Sequence, residues 1–288
     1  MTGATGFLGS HLLERMLKSG INVAICKRSF SDTSRIRDLL KKVSCYDLDK
    51  DPIEKIFNKV KPDIIIHCAT DYGRKNRDTL SIIEANLVLP LKLLKESIVN
   101  GASCFINTDT ILDKRISSYS LSKHQFKQWF ELYSDELTCI NIALEHFYGP
   151  FDDRTKFVSF ILERLLSGAA QIDLTEGRQK RDFIYIDDVV DAFLVILSCL
   201  DKMQKGFHNF EIGTDKQMEI RQFVRLVKRL ARNRDTKLNF GALPYRKNEQ
   251  MRSGIDTAAI RKLGWSPKYT VKKGIMKTIN IEKRAAAK

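Results

Sequence analysis

The feature that most constrains this chain is the run Thr2-Gly3-Ala4-Thr5-Gly6-Phe7-Leu8-Gly9, three glycines at three-residue spacing leading straight into an apolar helical pattern. Gly3 can take a tight turn, Gly6 lets the backbone come close to a bound group, and Gly9 lets the next helix pack close to a sheet. The free N–H groups and positive end of that helix then favour phosphate. Residues 10–17 carry Leu12, Leu13, Met16 and Leu17 on one face, Gly20 lies just past the end, and Ile21-Asn22-Val23-Ala24-Ile25-Cys26 reads as a strand. A plain loop-to-helix junction can carry the same glycines, but the strand–helix context favours a phosphate cradle. A nucleotide cofactor would then lie on Gly3, Thr5, Gly6, Phe7, Leu8 and Gly9. Such a fold needs a buried strand before the glycine turn, and only Met1 and Thr2 precede it. The first, central strand is therefore expected to be missing, either because the natural chain starts upstream or because this form is truncated. An open slot would leave two strands with unpaired backbone groups and lower stability unless another segment fills it.

Helical and strand patterns alternate to about residue 150, the mark of an α/β fold with a parallel sheet. At 288 residues the chain has room for a dinucleotide-binding domain over 1–150 and a smaller lobe over 151–288, some segments of which return to the first core. Asp63-Ile64-Ile65-Ile66-His67-Cys68-Ala69 is apolar enough at its centre to be covered on both faces, which puts Ala69 at the carboxyl edge where ligands bind. His67 reads as a packed strand residue. A helix with Asn86, Leu89, Leu93 and Leu94 precedes the strand Cys104-Phe105-Ile106-Asn107, which brings Thr108 and Asp109 to the same edge.

The net charge of +14 is dispersed along the chain, with no basic block interleaved with aromatics, so no nucleic-acid partner is expected. A basic surface would instead favour anionic substrates or an acidic membrane surface. No apolar run approaches the roughly 20 residues that span a bilayer, and no leader pattern precedes the glycine loop, so a cytoplasmic protein without a membrane span is expected. Cysteines 26, 45, 68, 104, 139 and 199 lack metal-ligand spacing and read as reduced packing residues, with no metal. The Ala285-Ala286-Ala287-Lys288 tail reads as a frayed or engineered end. Lys27 and Arg28 follow the second strand, where an acidic residue would hold an adenosine 2′-hydroxyl and cations suit a 2′-phosphate. They favour NADP, with NAD possible; ordinary solvated charges are the competing account.

Tyr119 and Lys123 lie four apart on a helical stretch and so share one face. An ammonium beside a phenol lowers the phenol's pKa from about 10 toward the working pH, which lets the tyrosine exchange a proton with a carbonyl or alcohol. Thr108 could add a hydrogen bond to the same oxygen. An exposed helix pair shows the same spacing; the place of this one after a glycine loop and a strand-end threonine favours chemistry.

With these residues in view, the chain resembles the extended short-chain dehydrogenase/reductases of the nucleotide-sugar epimerase/dehydratase type over nearly its whole length. The resemblance implies a Rossmann-type doubly wound sheet with a smaller C-terminal substrate lobe. It maps the cofactor motif onto Thr2 to Gly9, the Tyr-x-x-x-Lys pair onto Tyr119 and Lys123, and the catalytic Ser/Thr onto Thr108. Lys123 would also hold the nicotinamide ribose, and Tyr119 would act as acid or base. Residues 144–150, ending Tyr148-Gly149-Pro150, match the segment that passes the nicotinamide, and residues 177–189 match the family's Arg-Asp-Phe-Ile-Tyr block. Arg181 and Arg246 become candidates to grip a substrate diphosphate, with Asp109 a further substrate contact. The bland alternative for Arg181 is an ion pair with Asp182 or Asp188. Leu263-Gly264-Trp265-Ser266-Pro267 matches a lobe-packing element, and a homodimer is implied.

Thr108-Asp109-Thr110 lacks the second carboxylate of the 4,6-dehydratases, and Lys27-Arg28 fits an NAD-holding epimerase poorly. Asn107 to Thr110, Leu144 to Pro150 and Phe240-Gly241-Ala242 also resemble the nucleotide-linked 4-keto-6-deoxyhexose reductases of the CDP-abequose synthase type. The expected activity is NADPH-dependent reduction at C4 of such a sugar for surface polysaccharide synthesis. The alternatives are a C4 epimerase and a non-catalytic nucleotide-binding protein.

Overall fold

The computed structural model describes residues 1–74 and 78–286. The first part of the chain runs α1 (Phe7–Lys18), β1 (Ala24–Lys27), β2 (Ser44–Asp47), α2 (Ile53–Val60), β3 (Ile64–His67), α3 (Thr79–Ile83), α4 (Leu89–Val99), β4 (Cys104–Thr110), α5 (Ser118–Leu132), β5 (Thr138–Leu144) and β6 (His146–Tyr148). The remainder adds α6 (Phe157–Leu166), β7 (Gln171–Leu174), β8 (Lys180–Tyr185), α7 (Ile186–Ser198), β9 (Phe207–Ile212), β10 (Gln217–Glu219), α8 (Ile220–Leu230), β11 (Lys237–Phe240), α9 (Ala258–Lys262) and α10 (Val271–Ala286).

The main sheet is parallel, as its uninterrupted apolar strands require. β3, β4, β5 and β9 lie side by side with Ile66 beside Ile106 and Ile106 beside Ile140, and β1 pairs with β2. Met1 and Thr2 occupy the slot between these two groups. Thr2 pairs with Cys26 on one side and His67 on the other. Its N–H donates to Ile66 O at 3.0 Å and its carbonyl accepts from Cys68 N, while Met1 O accepts from Cys26 N at 2.8 Å. The Met1 ammonium donates to Ala24 O, and burial lowers its pKa. The slot expected to be open is thus bridged by two residues, and β1 starts at Ala24 rather than at Ile21: among the described residues no strand pairs with residues 21–23.

Both faces of the sheet are covered. Leu12, Leu13 and Met16 of α1 are buried with Ile106, Ile140 and Ile142, and α1 packs against α7. Phe126 and Phe130 of α5 pack on Phe105 on the other face. On that second face a polar row crosses the apolar sheet. His67, Asn107, Asn141 and Asn209 are register neighbours on four adjacent strands. Asn107 Nδ2 donates to Asn141 Oδ1 at 2.9 Å, and Asn141 Nδ2 donates to Asn209 Oδ1 at 2.8 Å and to Asp109 Oδ2 at 2.9 Å. His67 is a packed strand residue, fully buried, with Nδ1 at 2.9 Å from the Thr2 hydroxyl; burial drives its pKa well down, so it is neutral.

Smaller sheets order β10-β8-β6 and β11-β7 lie beyond the main one. Trp265 is buried and donates to Asp188 O, in keeping with a packing role. Two sequence expectations change. Ala285 and Ala286 finish α10 instead of fraying, the last two residues lying outside the described ones. Cys45 is exposed on β2 and is no packing residue, whereas Cys104 and Cys139 are buried.

Candidate functional site

A cleft of about 1090 Å³ runs along the carboxyl edge of the sheet. Thr5, Gly6, Phe7, Leu8 and Gly9 line it, with Gly3 at the turn and Ala69 beside it. Gly3 has φ +69°, and a Cβ there would sit 2.4 Å from Ala69 N. A Cβ on Gly9 would come 2.0 Å from Gly3 O. Gly6 begins α1 without a side-chain cap, and the first turn holds no acidic residue. An uncapped helix N-terminus under a side-chain-free backbone fits the pyrophosphate of a dinucleotide.

Lys27, Arg28, Ser31, Arg35 and Leu48 form the wall at one end. Arg28 pairs with Asp49, and Lys27 lies 4.0 Å from Asp47, so neither cation is a bare charge. Arg35 was invisible as a candidate from sequence; its guanidinium lies 5.8 Å from the Phe7 ring centroid, beside the cradle.

The reactive end is assembled from β4 and α5. α5 begins at a capping box in which Ser117 and Ser120 satisfy each other's backbone N–H, which fixes the first turn and with it Tyr119. Lys123, one turn on, is 1% exposed and donates from Nζ to Thr108 O at 2.7 Å. The Thr108 hydroxyl donates to His67 O at 3.0 Å and lies at the cleft wall. Asp109 accepts from Asn141 and Thr110 N–H; burial raises its pKa against those bonds and the pull of Lys123. Tyr119 packs on Tyr72, ring centroids 4.9 Å apart.

The expected lowering of the Tyr119 pKa is not what this site does. Burial raises it well above the usual phenol value, Tyr72 and Asp109 add to the rise, and a hydrogen bond with Thr110 opposes it. The Lys123 ammonium is spent on Thr108 O, and its own pKa falls to about 8, chiefly through burial. The site therefore holds a protonated phenol beside a strongly desolvated lysine.

That lysine has a stability consequence. Its folded pKa of about 8 lies below the ordinary lysine value of 10.5, so charging it weakens the fold, and the penalty is released as pH rises from about 8 through about 10.5. Lys123→Met is expected to raise stability at pH 7 by about 1–3 kcal/mol while removing activity, the lost bond to Thr108 O offsetting part of the gain. Thermal melts should show the gap between variant and wild type shrinking over that alkaline window. A variant less stable at pH 7 would contradict this account.

Asn86, which the sequence places in a helix without a role, proves to be a further residue of the site. It sits in a wide π-helical turn at Glu84–Val88, fully buried, and accepts from Thr70 Oγ1 and Asp71 N–H while donating to Asp71 O and Ser122 Oγ. It ties the loop after β3 to α5 one residue from Lys123. A lone amide among apolar helix positions was the available signal.

At the far end, Arg181 is buried and lines the cleft, but neither proposed acidic partner holds it. Its guanidinium pairs with Glu249 at 2.6 Å, whereas Asp182 accepts from Thr214 and Asp188 from the backbone of Lys268 and Tyr269. Arg246, on the same loop as Glu249, is exposed and also lines the cleft. Between these ends lie Glu145, which accepts from Ser253, and His146, whose Nδ1 is 3.5 Å from Glu145.

A model of the NAD dependent epimerase/dehydratase family matches residues 1–213. The CDP-abequose synthase of Salmonella muenchen is 34% identical over 292 residues, covering 98% of this chain and 97% of that protein. That of Salmonella typhimurium is 33% identical, over 96% and 95%. Among solved structures, the UDP-glucose 4-epimerase of Thermotoga maritima with UDP-glucose superposes at a TM-score of 0.85 and 25% identity, covering 100% of this chain and 98% of that one. The UDP-glucose 4-epimerase of Thermus thermophilus in complex with NAD shares the fold, at a TM-score of 0.83 and 24% identity over 99% and 98%.

Proposed function

The chain belongs to the NAD dependent epimerase/dehydratase family, and from that premise we propose that it is an NADPH-dependent reductase acting at C4 of a nucleotide-linked 4-keto-6-deoxyhexose, in surface polysaccharide synthesis. The observation that carries this reading is that one cleft contains the uncapped cradle of α1, the Thr108, Tyr119 and Lys123 group, and a cationic wall of Lys27, Arg28 and Arg35. The Salmonella relatives, matched along almost their full length, support the sugar class.

When bound, reduced nicotinamide supplies hydride. The chain's own residues do the rest. The N–H groups of α1 would hold the pyrophosphate, and Lys27 and Arg28 would meet the 2′-phosphate. Tyr119 carries the proton for the carbonyl oxygen, burial making it a weaker acid than a free phenol, and Thr108 would turn its hydroxyl from His67 O to the same oxygen. Lys123 would turn from Thr108 O to the cofactor ribose. Arg181 exchanges Glu249 for the substrate diphosphate, with Arg246 alongside.

The test is absorbance at the reduced-nicotinamide band with NADPH or NADH and a panel of CDP-, dTDP- and GDP-4-keto-6-deoxyhexoses. NADPH oxidation with one sugar is expected, and Arg28→Ala should raise the KM for NADPH about tenfold with little effect on NADH. A sugar changed by NMR without net oxidation would instead mean a C4 epimerase, and no change with any pair a binding protein. Leu121, Trp129 and Leu132 are exposed along α5 and offer a surface for the proposed homodimer. Sedimentation velocity should give twice the monomer mass; a monomer would remove that part of the reading.

A further inference from the structure

Beyond Arg181 the cleft is walled by Leu174, Leu243 and Pro244, with Thr175 and Gln179 set among them. The Gly241 and Leu243 N–H groups both donate to Leu174 O, at 3.0 and 3.1 Å, which ties the ends of β7 and β11 into a fixed apolar wall. Gln179 stands immediately before β8, its carbonyl fixed by Ile220 N–H at 3.0 Å. Its side chain is buried, 7% exposed, and Nε2 donates to Thr175 Oγ1 at 3.2 Å. Its Oε1 is buried without a hydrogen-bond partner. A buried amide oxygen left unpaired in a fixed site is an acceptor waiting for a donor. Arg181 lies two residues further on and lines the same cleft.

On the basis of the nucleotide-sugar reading above, we propose that Gln179 reads the nucleobase: Oε1 accepts from the exocyclic 4-amino group of cytosine, so the site takes a cytidine diphosphate over a uridine or thymidine one. Cytosine presents an N–H donor at C4, whereas uracil and thymine present a carbonyl oxygen that faces Oε1 acceptor to acceptor. Leu174, Leu243 and Pro244 supply flat apolar contact that any pyrimidine can use, so discrimination falls to the amide. Thr175 holds that amide by its nitrogen and leaves the oxygen for the base.

The experiment is calorimetric titration of the full chain with CDP, UDP and dTDP, on wild type, Gln179→Met and Gln179→Glu, with thermal melts as the folding control. Wild type should bind CDP at least about tenfold more tightly than UDP or dTDP. Gln179→Met should bring that ratio close to one by losing CDP affinity, with UDP affinity little changed. Gln179→Glu keeps an acceptor, so its added charge should weaken all three nucleotides while the preference for CDP survives. A preference unchanged in Gln179→Met, or a wild type that favours UDP or dTDP, overturns the assignment. If Gln179→Met does not fold, a preference lost in Gln179→Glu overturns it equally, and one retained there supports it. Wild type binding none of the three would overturn the nucleotide-sugar reading itself.

Discussion

Tyr119→Phe is expected to lower turnover by about 10²–10⁴-fold while leaving the NADPH dissociation constant within about threefold. The ring keeps its packing on Tyr72, and only the proton donor and its bond with Thr110 are lost. Melting temperature should therefore move little, so that lost activity cannot be laid to lost fold. The pH profile separates the partners further. Burial holds the phenol protonated far into the alkaline range, whereas Lys123 releases its proton near 8. An alkaline fall in cofactor affinity near that pH should persist in Tyr119→Phe and vanish in Lys123→Met. Wild-type turnover in Tyr119→Phe with cofactor bound would rule out the assigned chemistry.

Gly9→Ala is expected to remove NADPH binding, by about a hundredfold or more, and to cost about 2–4 kcal/mol of stability. A Cβ at this position falls 2.0 Å from Gly3 O, 2.7 Å from Gly3 C and 2.9 Å from Ala4 Cα, all backbone atoms of the tight turn itself. No rotamer change relieves such a contact; the turn must open, and the cradle with it. Gly6→Ala is the informative control, because its Cβ meets only Gly3 O at 3.3 Å. That variant should fold with near wild-type stability and still bind poorly, since the added methyl stands where the pyrophosphate approaches. Fluorescence titration with NADPH and chemical unfolding read both effects, and a Gly9→Ala protein binding normally would mean that the cofactor lies elsewhere.

How much of this was legible in the sequence depended on how local the cause is. The glycine cradle, α1 and the Tyr119–Lys123 spacing are set by residues within a few positions of one another, and each was readable. Strand ends were less so, because a strand begins where a neighbour begins: β1 waits for Met1 and β2, and residues 21–23 stay outside it despite Ile21 and Val23. Thr108 could be placed at the sheet edge, but that its hydroxyl turns to His67 O depends on a strand 41 residues away. The same holds for Arg181, whose partner is 68 residues distant rather than next door, and for Asn86, whose bonds join one loop and a helix. The Tyr119 pKa was misjudged for a related reason. Spacing reveals a neighbouring charge, but only the assembled fold shows how much water is removed from the group.

The asparagine row on the central strands bears on how the sheet finds its alignment. Alternating side chains reject a slip of one residue, which would carry Asn141 to the face opposite Asn107 and Asn209. They do not reject a slip of two, since Phe105, Asn107 and Asp109 all face the same way. Displacing β5 by two residues would bring Asn141 opposite Phe105 or Asp109 and leave the amides of Asn107 and Asn209 without their partners in a dry interior. The alternation of faces and the pairing of the amides thus act as two gauges of different pitch, one blind to even errors and the other not. Together they admit a single alignment, and that alignment sets Thr108, two residues before the end of β4, in the wall of the cleft that holds the cradle.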